Sequence, residues 1–101
     1  MRTRIAVALF LLTVTATAAL ADVRGKVTYP DTTPHVKAAA TIRSSSGASA
    51  TVYTGPDGIF VHPNIPAGEY TLEIRTPRDS RTLRITVTSA PITDVPPVTL
   101  N

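Results

Sequence analysis

The chain has 101 residues and no cysteine, which excludes a disulfide framework, a lipid-modified cysteine and thiolate chemistry. Ten basic residues against seven acidic ones give a formal charge of +3, but Arg2 and Arg4 sit at the extreme N-terminus. Without those two, eight basic residues face seven acidic ones, so nucleic-acid binding has no bulk electrostatic footprint.

The first 21 residues read as a signal peptide. Arg2 and Arg4 form a positive start, Ile5 to Leu12 is apolar, and Thr13 to Ala19 continues with small residues. Ala19-Leu20-Ala21 matches the small-x-small pattern before a cleavage site, which places the cut after Ala21. The purely apolar run is short of the ~20 residues that a spanning helix needs, so no stable membrane insertion is expected after cleavage. Residues 22–101 are then exported, to the periplasm or beyond the cell, and suffice for one modest domain held by its hydrophobic core alone.

In chain order, Val23, Gly25, Val27 and Tyr29 alternate with Arg24, Lys26 and Thr28, which predicts a strand with one inward face. Two prolines in Pro30-Asp31-Thr32-Thr33-Pro34 end it. A second strand is expected from Val36 to Arg43, with Ala38, Ala40 and Ile42 inward and Lys37, Thr41 and Arg43 outward. Ser44 to Gly47 is a loop. A third strand follows from Ala48 to Thr54, with Ala50, Val52 and Thr54 inward and Tyr53 outward. The Pro56-Asp57-Gly58 turn leads to Phe60, in a short extended piece that Pro63-Asn64 is expected to stop.

Pro66-Ala67-Gly68 turns the chain again, and Tyr70, Leu72 and Ile74 share one face of the next strand. Thr76 to Ser80 forms a polar hairpin loop. Leu83, Ile85 and Val87 then alternate with polar residues in the cleanest period-two pattern of the chain. The last extended segment carries Ile92, Val95, Val98 and Leu100. Its Pro96-Pro97 interruption places it at a sheet edge, where a missing N–H donor costs least. About seven short strands without a helix predict an all-β fold, an antiparallel β-sandwich preceded by a signal-peptide helix.

Several of these residues carry a resemblance. Val23-x-Gly25-x-Val27, Ala40-Thr41-Ile42, Thr54-x-x-Asp57-Gly58-x-Phe60, Asn64-Ile65-Pro66-x-Gly68-x-Tyr70 and Val98-x-Leu100 resemble the carboxypeptidase regulatory-like domain family. These are transthyretin-like accessory modules, and the likeness spans nearly all of residues 22–101. It implies a seven-stranded prealbumin-like or immunoglobulin-like sandwich without catalytic residues. Two positions depart from the pattern: Gly55 stands where the family usually has aspartate, and His62 where it has an apolar residue.

Catalysis finds little support. There is no His-Glu-x-x-His zinc set and no Gly-x-Ser-x-Gly elbow, and the two histidines, His35 and His62, lack metal-ligand spacing. The ending Pro97 to Asn101 differs from the Tyr-Arg-Gly-Ser of the transthyretin-like hydroxyisourate hydrolases. A lysine–asparagine isopeptide bond, as in collagen-binding-adhesin repeats, needs an inward lysine and an inward acid; Lys26 has outward parity, and Ile74 occupies the acid's position.

The expectation is therefore a non-enzymatic module without a cofactor, which binds or scaffolds a protein partner in the cell envelope or outside the cell. It would work through loops at one sandwich end or through an edge strand. Arg75, Arg78, Arg81 and Arg84 cluster in sequence around one hairpin and form a candidate patch for an anionic envelope polymer or partner. The alternative is a carbohydrate-binding module, for which Tyr53 is the candidate stacking platform. His62 is expected to pack inward with one ring nitrogen reaching a carbonyl or water.

Overall fold

A computed structural model describes residues 20–101. Eight strands follow one another: β1 (Leu20–Thr28), β2 (Ala39–Ser44), β3 (Ser49–Tyr53), β4 (Ile59–Pro66), β5 (Gly68–Arg75), β6 (Ser80–Val87), β7 (Ile92–Asp94) and β8 (Val98–Thr99). They form two sheets, one ordered β4-β1-β7 with β8 also on β1, the other ordered β3-β2-β5-β6. The sandwich expected from the alternation is present. Its core gathers the inward residues of both sheets, including Val23, Val27, Ala40, Ile42, Phe60, Leu72, Ile74 and Val87.

Two features of the first sheet differ from the reading of the sequence. Pro63-Asn64 does not stop the strand from Phe60, because β4 runs on to Pro66. The register shifts there: Ala21 faces Ile65 while Val23 faces His62, so two residues of β4 oppose Asp22 alone. A bulge absorbs the proline, which has no N–H for the ladder, and Asn64 takes a positive φ of 57° while its N–H bonds Asp22 Oδ1 at 3.2 Å. The second difference lies at the C-terminal end. The last segment occupies a sheet edge as expected, but β7 and β8 pair with β1 in parallel, the one departure from antiparallel order. Pro96 and Pro97 split this edge in two, and Val95, Val98 and Leu100 still reach the core.

The leader expected over residues 1–21 falls on residues 1–19, outside the described residues, except for its last two. Leu20 and Ala21 open β1 opposite Pro66 and Ile65, and Ala21 is buried.

Residues of the family-like motifs act as folding devices. Gly25 lies under Phe60: a Cβ there would come within 2.6 Å of the aromatic ring. Gly58 has a φ of 76°, and its missing Cβ leaves room for Val27 O, whose contact would otherwise be 2.6 Å. Asp57 Oδ1 accepts the Ile59 N–H at 3.1 Å and closes the turn. Buried Thr54 donates to His35 O at 2.6 Å and accepts from Ala38 N at 2.9 Å, pinning the β1–β2 loop. Tyr70 donates its hydroxyl to Pro66 O at 2.6 Å and locks the crossing from one sheet to the other.

Two predicted inward residues end up at the rim. Tyr29 is exposed because β1 ends at Thr28 and the chain turns, with Tyr29 N bonding Thr33 O at 2.8 Å. Its ring stacks on His35 at 3.6 Å between centroids. Ala50 keeps inward parity opposite Ile42 but is exposed, since it lines an open apolar groove with Ile65 and Pro66 where the edges of β3 and β4 diverge. The second strand also starts later than expected: Lys37 has a φ of 62°, outside the extended region, and leaves Val36 exposed in the loop.

Candidate functional site

His62 points inward, as its parity predicts, and is 1% exposed. It stands in mid-strand opposite Val23, and its Nε2–H donates to Ala40 O of the other sheet at 2.8 Å. Phe60 meets it edge-on, with ring centroids 6.2 Å apart. Burial holds its pKa below the usual histidine value, against the hydrogen bond to Ala40, which favours the proton. The ring is a neutral bridge between sheets. Among the described residues no three of His, Cys, Asp or Glu gather into a metal-binding group. Lys26 is exposed, and Ile74 faces the core where an isopeptide bond would need an acid.

The four arginines of the hairpin reach different places. Arg75 pairs with Glu73 at 3.0 Å on the outer face of the second sheet. Arg78 sits on the loop and lines a cleft of about 250 Å³ at one sandwich end, with Tyr29, His35, Val36 and Lys37. Arg81 opposes Ile74 at the end of β6 and turns toward the C-terminal segment, with Nη2 3.4 Å from Thr99 O. Arg84 lies three residues further along β6, ~13 Å from Ser80, on the outer face. Its directly opposite neighbour on β5 is Thr71, and beyond Thr71 on β2 stands Arg43. Arg43 was legible only as an outward residue. Nothing in the sequence gives the register that brings β2 and β6 to the two sides of β5.

The sandwich-end cleft is firmly built. The Nε2–H of His35 donates to Leu100 O at 3.1 Å, which fixes the stacked Tyr29–His35 pair. Asp79 Oδ2 accepts the Asn101 N–H at 3.1 Å, and Oδ1 accepts the Ser80 N–H at 2.8 Å. These backbone donors hold the Asp79 carboxyl below its usual pKa, so it ties the hairpin to the C-terminal segment.

The four edges are unequal. β4 carries Pro63, Pro66 and the bulge. β7 and β8 have three and two residues, with Pro96-Pro97 between them, and β3 has five. β6 has eight residues without proline, glycine or bulge, in unbroken register with β5 from Gly68–Val87 to Arg75–Ser80. The Thr76 N–H bonds Asp79 O at 2.8 Å, which sets the alternation along this hairpin. Thr82, Arg84 and Thr86 therefore turn their N–H and C=O groups away from β5, toward the open edge. Leu83 and Ile85 are only partly buried, packed against the margin of the core. Tyr53, at the other edge of this sheet, is 64% exposed.

A family model described as the carboxypeptidase regulatory-like domain matches residues 22–101. No curated protein matches the chain. Among solved structures, the chain is similar to a DUF3823 family protein from Parabacteroides merdae ATCC 43184, with a TM-score of 0.56 and 20% identity. That match covers 82% of this chain and 46% of the other, so the chain spans less than half of that protein, and the likeness concerns the fold.

Proposed function

The chain belongs to the carboxypeptidase regulatory-like domain family, whose members are non-catalytic modules, and from that premise we propose that it is an exported docking module that binds a protein partner by strand addition at β6. The observation that carries this reading is the contrast among edges. Three are shortened, interrupted or bulged, which are the devices that blunt an edge against pairing, whereas β6 keeps eight residues in one unbroken register. Its outward backbone groups supply affinity, and Arg81 and Arg84 favour a partner strand with acidic residues. Export rests on the leader pattern of residues 1–21; the intact mass of the protein recovered outside the cytoplasm checks the cut after Ala21.

The test is crosslinking of the exported protein in its native envelope or culture fluid, followed by mass spectrometry of the attached species. Links from β6 to one dominant protein are expected. Thr82→Pro removes an edge-facing N–H without touching a bond to β5, so it should abolish capture while circular dichroism stays unchanged. Capture that survives Thr82→Pro in a folded protein sinks the strand-addition reading. Slowed amide exchange at Thr82, Arg84 and Thr86 with the identified partner is a second check that needs no substitution.

A second reading, carbohydrate binding, is favoured by Tyr53, a phenol ring standing 64% exposed on the outer face of a sheet. Tyr53→Ala should then lose retention on the glycan. Unchanged retention removes Tyr53 as a stacking platform.

A further inference from the structure

The outer face of the second sheet is organised in rows. Tyr53, Ala39, Arg75 and Ser80 form one row, Thr51, Thr41, Glu73 and Thr82 the next, and Ser49, Arg43, Thr71 and Arg84 a third. Strands lie ~4.8 Å apart, so the third row places Arg43 and Arg84 about 10 Å apart at the backbone, with the Thr71 hydroxyl between them. Ser44, Ser45 and Glu69 lie past this row at the same end of the sheet, and with Arg43, Thr71 and Arg84 they line an open depression of about 220 Å³.

Charge separates these two arginines from Arg24 and Arg75. Arg24 is paired with Asp94 and Arg75 with Glu73, whereas neither Arg43 nor Arg84 meets a carboxylate within ion-pair distance among the described residues. Two unengaged guanidinium forks across a hydroxyl match an oxyanion. Glu69 at the rim limits the charge that the depression tolerates, so a singly charged carboxylate suits it better than a phosphate dianion. The surrounding face is rich in hydroxyls, with Thr41 and Thr51 already bonded to each other at 2.8 Å, and the exposed ring of Tyr53 stands on the same face, a combination that suits a sugar chain.

We propose that this depression binds the carboxylate of an acidic polysaccharide, held by Arg43, Arg84 and the Thr71 hydroxyl, with the chain lying across the threonine row toward Tyr53. The two sites are about 13 Å apart along the strands, from the third row to the first. The inference rests on the carbohydrate reading and gives it a ligand class and a second contact point. Strand addition at β6 shares Arg84 with it, but Arg43, on an interior strand, belongs to this site alone.

Amide chemical shifts of the protein titrated with trigalacturonate, its neutral methyl ester and inorganic phosphate provide the test. Trigalacturonate should move the Arg43, Thr71 and Arg84 signals. Arg43→Ala and Arg84→Ala should each weaken binding about tenfold, and Glu69→Gln should tighten it about twofold. The neutral ester should bind far more weakly. Equal loss from Arg78→Ala, or phosphate binding as tight as the trisaccharide, overturns the assignment. If Tyr53→Ala removes binding and Arg43→Ala does not, the carbohydrate reading stands and this site fails. If no probe shifts any signal, both fail.

Discussion

The two sheets of this sandwich solve different problems. The first, β4-β1-β7/β8, is built from glycines, prolines and a bulge: Gly25 beneath Phe60, Pro63-Asn64 opposite Asp22, and Pro96-Pro97 dividing its far edge. Its irregularities close it against outside strands and serve the core. The second, β3-β2-β5-β6, is regular, with a hydroxyl-rich outer face and one undefended edge. Irregular sequence marks where edges are closed, and regular sequence marks where an edge is left unpaired. Substitutions in the first sheet should therefore cost stability, and outward substitutions in the second should cost binding alone.

The largest expected effect is Phe60→Ala, about 3–5 kcal/mol in urea unfolding, because the ring is buried between the sheets and leaves a cavity. Gly25→Ala should cost about 1–3 kcal/mol, since the new Cβ meets that same ring. A double substitution with Phe60→Leu should recover part of this loss; simple additivity of the two would argue against the contact. Tyr70→Phe should lose about 1 kcal/mol with the bond to Pro66 O, read from the shift of the unfolding midpoint.

His62 adds a pH dependence of defined sign. Burial depresses its folded pKa below the unfolded value near 6.5, so its contribution is complete above that pH. Below it, the unfolded chain takes up a proton that the folded ring resists, and stability falls as pH drops toward the depressed value. The wild type should lose more stability than His62→Leu between pH 7.5 and 5, and parallel curves would remove His62 as the cause. The smallest effect should come from Arg24→Ala, which breaks an exposed pair with Asp94 and should shift stability by no more than about 0.5 kcal/mol.

Much of this molecule was legible residue by residue. Parity along Val23 to Val27, Tyr70 to Ile74 and Leu83 to Val87 placed their inward faces, because a period of two leaves each strand only one apolar side. The Asp57-Gly58 turn followed from local chemistry, and so did the inward ring of His62. The misreadings share a cause. Pro63 reads as a stop because a proline removes a ladder bond, yet a bulge opposite Asp22 supplies what is needed, and that depends on a partner strand distant in sequence. Tyr29 has the parity of a core residue but lies just past the end of β1, where the chain turns.

The candidate sites were least legible. Four arginines close in sequence around one hairpin dispersed to an ion pair, a loop, the C-terminal segment and the outer face. Arg84 found its neighbour in Arg43, 41 positions away, because β2 and β6 flank β5. Sequence by itself determined the class of fold, the inward faces and the tight turns, since these follow from backbone sterics and hydrophobic alternation within a few residues. Only the tertiary structure decided the parallel C-terminal edge, the unguarded β6 and the pairing of Arg43 with Arg84. Those depend on strand order and register, which are set by packing between segments far apart in the chain.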